Sequence, residues 1–114
     1  MHSVSTYWAN IYCGLLPGYG GMCIPGALER AYQICQDYCN GVGLGLTVTK
    51  TKFIYVGGSE DGIVVGLINY PRFPSTPEQI RTKALDLARL LKGALMQERV
   101  SVVFPDETIM IGDL

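Results

Sequence analysis

Ile63-Val64-Val65-Gly66-Leu67-Ile68-Asn69-Tyr70 is apolar on both of its parities. Successive side chains of a strand point to opposite faces, so this run reads as a central strand covered on both sides. Before it, residues 45–57 (GLTVTKTKFIYVG) alternate strictly, and Gly57-Gly58-Ser59-Glu60-Asp61-Gly62 reads as the polar hairpin turn joining the two strands. Lys50 and Lys52 share a parity with Leu46, Val48, Ile54 and Val56, which predicts either a bulge or a stretch that overhangs the core. After it, Pro71 and Pro74 end the strand. Thr76-Pro77-Glu78-Gln79 then opens a helix, with a threonine cap, proline in the first turn and glutamine closing a capping box. Ile80, Ala84, Leu87, Ala88, Leu91 and Leu95 recur at helical spacing and form its buried face.

The same reading reaches both ends of the chain. Residues 6–14 (TYWANIYCG) are strand-like, and a glycine-rich loop, Gly14 to Gly26, follows. A first helix starts near Pro25, carries Leu28, Ala31, Tyr32, Cys35, Tyr38 and Cys39 as its apolar stripe, and stops at Asn40-Gly41-Val42-Gly43. Residues 99–104 and 109–111 form two short strands around a turn at Pro105–Thr108. The order is β-α-β-β-α-β plus a short C-terminal strand. It predicts an α+β sandwich, one mostly antiparallel sheet with two helices on one face. The right-handed crossover rule makes the first two strands parallel and turns the third and fourth the other way. The glycine loop and the 57–62 turn then share one end of the sheet. Residues 40–44, 70–76 and 105–108 gather at the other.

A chain of 114 residues is expected to form a single domain, 1–114. Charged residues make up 17% of it, below the ~25% of soluble domains, so part of its surface is expected to be hidden in a homo-oligomer. A formal net charge of −1 supplies no basic field for nonspecific nucleic-acid binding. No apolar run is long enough to span a bilayer and Met1–Thr6 has no leader pattern, so a cytoplasmic protein is expected. Cys13, Cys23, Cys35 and Cys39 lack Cys-x-x-Cys spacing and are read as free thiols, with no metal and no cofactor expected.

The leading site candidate is Tyr70-Pro71-Arg72-Phe73-Pro74-Ser75-Thr76. Arg72 offers a planar fork for an anion, Tyr70 and Phe73 can stack a base, and Ser75 and Thr76 add hydroxyls at a helix start. The competing reading pairs Arg72 with Asp106 or Glu107. Gly18-Tyr19-Gly20-Gly21 matches a phosphate loop poorly, and Lys50 and Lys52 read as guards of an exposed edge. The one histidine, His2, lies in a terminus expected to fray, and the acidic pairs Glu60/Asp61 and Asp106/Glu107 fall in turns where carboxylates are solvated. No catalytic residue is assigned on these grounds, and binding without chemistry is expected.

Leu46-Thr-Val-Thr49, Phe53-Ile-Tyr55, Ile68-Asn-Tyr-Pro-Arg-Phe-Pro74 and Gln97-Glu-Arg-Val-Ser-Val-Val-Phe-Pro-Asp-Glu-Thr108 resemble segments of small bacteriophage-encoded proteins. The element order resembles that of ferredoxin-like domains. This resemblance implies an anti-defence role in the cytoplasm of an infected cell. The protein would sequester a small anionic, nucleotide-like signalling ligand through Tyr70, Arg72, Phe73, Ser75 and Thr76. One alternative is an inhibitor that docks on a host protein through Tyr7, Trp8, Tyr12 and Tyr19. A second is a small nucleotide-processing enzyme using the glycine loop or Asp106 and Glu107.

Overall fold

Ala9, Ile11 and Cys13 are fully buried, while Trp8, Asn10 and Tyr12 between them are not, and that alternation orients the sheet. A computed structural model describes residues 1–16 and 25–113 and places these residues in β1 (Trp8–Gly14). After it come α1 (Ala27–Val42), β2 (Thr47–Tyr55), β3 (Gly58–Ile68), α2 (Pro77–Ala94), β4 (Val100–Val103) and β5 (Thr108–Ile111). The strand order is β2-β3-β1-β4-β5, with every neighbouring pair antiparallel. This is the ferredoxin-like α+β arrangement with one strand added at the β4 edge. The candidate phosphate loop Gly18–Gly21 lies outside the described residues.

The helices cover one side only. Ile63, Val65 and Leu67 of β3 join Ala9, Ile11, Val100 and Val102 in the core, but Val64 is partly exposed and Ile68 is half exposed. The expectation of a strand covered on both faces is therefore corrected: β3 is interior to the sheet, flanked by β2 and β1, and its second face is open. Helix α2 packs across β1 and β4 and buries Ile80, Ala84, Leu87, Ala88 and Leu91, while α1, in contact with α2, buries a narrower stripe, Ala27, Ala31 and Cys35. Tyr32, expected in that stripe, is exposed.

The threonine at the start of α2 behaves as its sequence predicts. Thr76 Oγ1 accepts from Gln79 N at 3.1 Å and Gln79 Oε1 accepts from Thr76 N at 2.9 Å, so two otherwise unpaired backbone donors are satisfied reciprocally. Thr76→Ala is expected to cost about 1 kcal/mol, read as a lowered urea midpoint with an unchanged slope.

The β2–β3 hairpin turn is shorter than the expected 57–62 and starts one residue earlier. Tyr55 pairs directly with Gly58, leaving Val56 and Gly57 as the whole turn, with Gly57 at φ 82°. Ser59, Glu60 and Asp61 are strand residues. The register runs without a bulge, Lys50 opposite Ile63 and Lys52 opposite Asp61, so the lysines mark an overhang. There Lys52 Nζ pairs with the Asp61 carboxylate at 2.9 Å.

Burial pushes the Cys13 thiol up to about 12, with Cys35 and Glu60 nearby adding to the shift, and Cys35 up to about 11. Between the ordinary thiol value of 9.0 and about 12 the unfolded chain releases protons that the folded chain keeps. Stability must therefore fall as pH rises through that window. Urea midpoints measured from pH 8 upward are expected to drop past pH 9, and to drop less steeply in Cys13→Ala.

Candidate functional site

Two places on the molecule gather chemistry, one at each end of β3. At the far end, Asn69 ties the corner to the N-terminal segment: its Nδ2 donates to Ser5 O at 2.8 Å and its Oδ1 accepts from Ser75 N at 2.8 Å. Tyr70 and Phe73 close a small turn between them, and the Arg72 guanidinium lies 5.6 Å from the centre of the Phe73 ring. Tyr70, Phe73 and Ser75 line a cleft of about 440 Å³ together with Leu44, Ile68 and Lys83. Arg72 stands outside that lining, and Thr76 spends its hydroxyl on the helix cap. Five residues were expected to act together; the structure brings three of them into one cleft.

Arg72 is not the arginine that meets the acidic turn. Arg81 is: its guanidinium donates to Tyr7 Oη at 3.2 Å and to Asp106 Oδ1 at 3.3 Å, and pairs with Glu107. It also lies 4.5 Å from the centre of the Phe104 ring. Hydrogen bonds from the guanidinium to Tyr7 and Glu107 raise its already high pKa. Asp106 and Glu107, offered as catalytic carboxylates, are therefore structural partners. Tyr7 belongs to the core side, so the proposed aromatic docking patch is divided: Trp8 and Tyr12 face the open side, and Tyr19 lies outside the described residues. His2 lines a second cleft with Trp8 and Asn69 instead of lying clear of the fold.

The other end of β3 carries residues that the sequence offers only for other roles, Tyr12 for docking and Glu60 as a solvated turn acid. Gly14 pairs with Gly62, and Tyr12 with Val64, so two glycines form a floor without side chains on the open face. A β-carbon at Gly62 would overlap the Phe53 ring and stand 2.9 Å from the Cys13 carbonyl oxygen; one at Gly14 would stand 2.6 Å from Gln97 Oε1 and 3.4 Å from Glu60 Oε1. Glycine is what lets Phe53, Gln97 and Glu60 converge here. Phe53 sits opposite Glu60 in the hairpin register, and its ring centre lies 6.5 Å from that of Tyr12 at 54°. Gln97 is held in place by donating from Nε2 to Leu95 O at 3.1 Å and to Leu16 O. Glu60 is partly buried, and among the described residues it has neither an ion pair nor a hydrogen bond. An unpaired, partly buried carboxylate opposite an aromatic ring can receive a cation.

Among the described residues no group of three or more histidine, cysteine or acidic side chains is placed to hold a metal ion, and no helix is long and apolar enough to cross a membrane.

The class this architecture belongs to is the ferredoxin-like α+β sandwich with an open sheet face. No protein-family model and no curated protein matches the chain. Two solved structures share its fold nearly from end to end. One is a phage SAM lyase in the apo state, 18% identical, with a TM-score of 0.70 over 94% of this chain and 89% of that one. The other is a phage SAM lyase in complex with S-methyl-5'-thioadenosine, 16% identical, with a TM-score of 0.68 over 99% of this chain and 94% of that one. Both are phage proteins, which agrees with the resemblance read from the sequence at that level.

These neighbours overturn the expectation of a non-enzymatic protein that sequesters its ligand. In both of them this fold is that of an enzyme. The expectation against catalysis depends on His2 lying in a frayed terminus, on missing metal motifs and on carboxylates solvated in turns, and the last of these fails for one carboxylate. Glu60 is in a strand and not in a turn.

Proposed function

We propose that this chain is a small lyase acting on S-adenosylmethionine, and that the shelf formed by Tyr12, Phe53, Glu60, Gly62 and Gln97 is where it does so. The observation that carries the reading is the unpaired Glu60 carboxylate opposite Phe53, whose ring lies near that of Tyr12. It lies in a fold shared with lyases of that substrate. Release of S-methyl-5'-thioadenosine breaks the bond between the sulfonium sulfur and the γ-carbon of the amino-acid arm. The bonding pair goes to sulfur, which leaves as a neutral thioether. The γ-carbon is taken by the substrate's own carboxylate oxygen, closing a lactone, so no water is consumed.

Charge at sulfur falls as this bond breaks, so a carboxylate clamped on the sulfonium would favour the ground state. Glu60 fits the substrate's ammonium group better, since that charge persists through the reaction. Holding the ammonium fixes the arm so that its carboxylate reaches the γ-carbon, a positioning effect of the kind that dominates intramolecular reactions. The aromatic rings supply a face for the adenine and a poorly solvating environment for the sulfonium.

The test is incubation of the purified chain with S-adenosylmethionine, followed by chromatography and mass spectrometry. Protein-dependent appearance of S-methyl-5'-thioadenosine together with the lactone is expected. Substrate that decays no faster than in buffer would remove the proposal.

A further inference from the structure

We propose that the cleft at the opposite end of β3 is a second ligand site, separate from the Glu60 shelf, for a flat heteroaromatic ring bearing a phosphate. Its volume of about 440 Å³ lies within the range of pockets that hold small molecules, about 300–1,000 Å³. It opens between the C-terminal end of α1, near Gly43–Gly45, and the corner that follows β3. Its apolar walls are Leu44, Ile68 and the rings of Tyr70 and Phe73. Phe73 is 67% exposed, so an aromatic ring stands at the rim without a core to cover it. Aromatic faces of this kind stack a planar base whatever its identity.

The charge on the described lining of this cleft is positive. Lys83 lines it, Arg72 stands beside Phe73 at its rim, and no carboxylate is among its described lining residues. Neither cation has a carboxylate partner among the described residues, because Asp106 and Glu107 are held by Arg81 and Asp86 by Arg89. Two unneutralised cations beside two rings complement a base that carries an anion. The ring would lie against Tyr70 and Phe73 with its phosphate toward Lys83 and Arg72. From Gly62 to Tyr70 the strand rise amounts to roughly 25 Å, too far for one small ligand to touch both places. The inference therefore stands whether or not the shelf is a lyase site.

Adenosine 5'-monophosphate is the probe, with adenosine and inorganic phosphate as separate arms, in calorimetry on the full chain. The monophosphate is expected to bind saturably and about tenfold tighter than either fragment. Binding should weaken about tenfold in Lys83→Gln and in Arg72→Gln, the loss of one charge-assisted hydrogen bond each. S-methyl-5'-thioadenosine, which also lacks the phosphate, should compete no better than adenosine does. Absence of saturable binding at millimolar concentration overturns the proposal. So does unchanged affinity in both variants, or displacement by the thioadenosine at concentrations where adenosine does not compete, which would put the probe on the shelf instead.

Discussion

Glu60→Gln is expected to lower turnover of S-adenosylmethionine by roughly 100-fold, the penalty typical of losing the group that orients a reacting arm. The substitution keeps the side chain's shape and removes its charge. Glu60 stabilises no described partner, so thermal melting should be nearly unchanged. S-methyl-5'-thioadenosine lacks the ammonium group, so its affinity should also be nearly unchanged. That split is diagnostic, because a merely misfolded shelf would lose product affinity along with turnover. Wild-type turnover in this variant would remove Glu60 from the chemistry.

Leu87→Ala is expected to destabilise the chain by about 2–5 kcal/mol, the range for truncating a fully buried leucine. Leu87 has no solvent exposure and sits on the one helix that packs broadly across the sheet. Helix α1 leans on α2 more than on the strands, so loosening α2 loosens both. Against a typical domain stability of about 5–15 kcal/mol this is a large fraction. Urea denaturation checks it, and a loss under about 1 kcal/mol would mean that the core closes over the gap or that α2 is less central than its burial indicates.

Most of the fold could be read from the sequence, and the reasons are local. The capping box at Thr76–Gln79 and the apolar stripe from Ile80 to Leu95 specify α2 without help from the rest of the chain. The crossover rule then places the remaining strands, down to which loops share which end of the sheet. The lysine parity in β2 marked the overhang because a buried face would not accept two ammonium groups.

What failed was decided by pairing across the sheet. Gly58-Ser59-Glu60-Asp61 has the composition of a turn, yet β2 zips against it as far as Tyr55, and only the register shows this. Reading those residues as a turn made Glu60 a solvated acid and hid the shelf. The apolar second face of β3 pointed to a covering layer, but both helices lie on the other side. At the corner, Tyr70, Phe73 and Ser75 do meet, while Arg72 stands outside their cleft and does not make the competing ion pair, since Arg81 holds Asp106 and Glu107 from α2. Nothing in the spacing of residues 72, 81 and 106 distinguishes these two pairings.

The most direct measurement is a titration of isotope-labelled protein with S-methyl-5'-thioadenosine, followed through backbone amide chemical shifts. Saturable shifts are expected, concentrated at Tyr12, Phe53, Glu60, Gly62 and Gln97, on the open face beside the Gly14–Gly62 floor. Shifts centred instead on Tyr70–Thr76, or none at all at saturating ligand, would contradict this placement of the site.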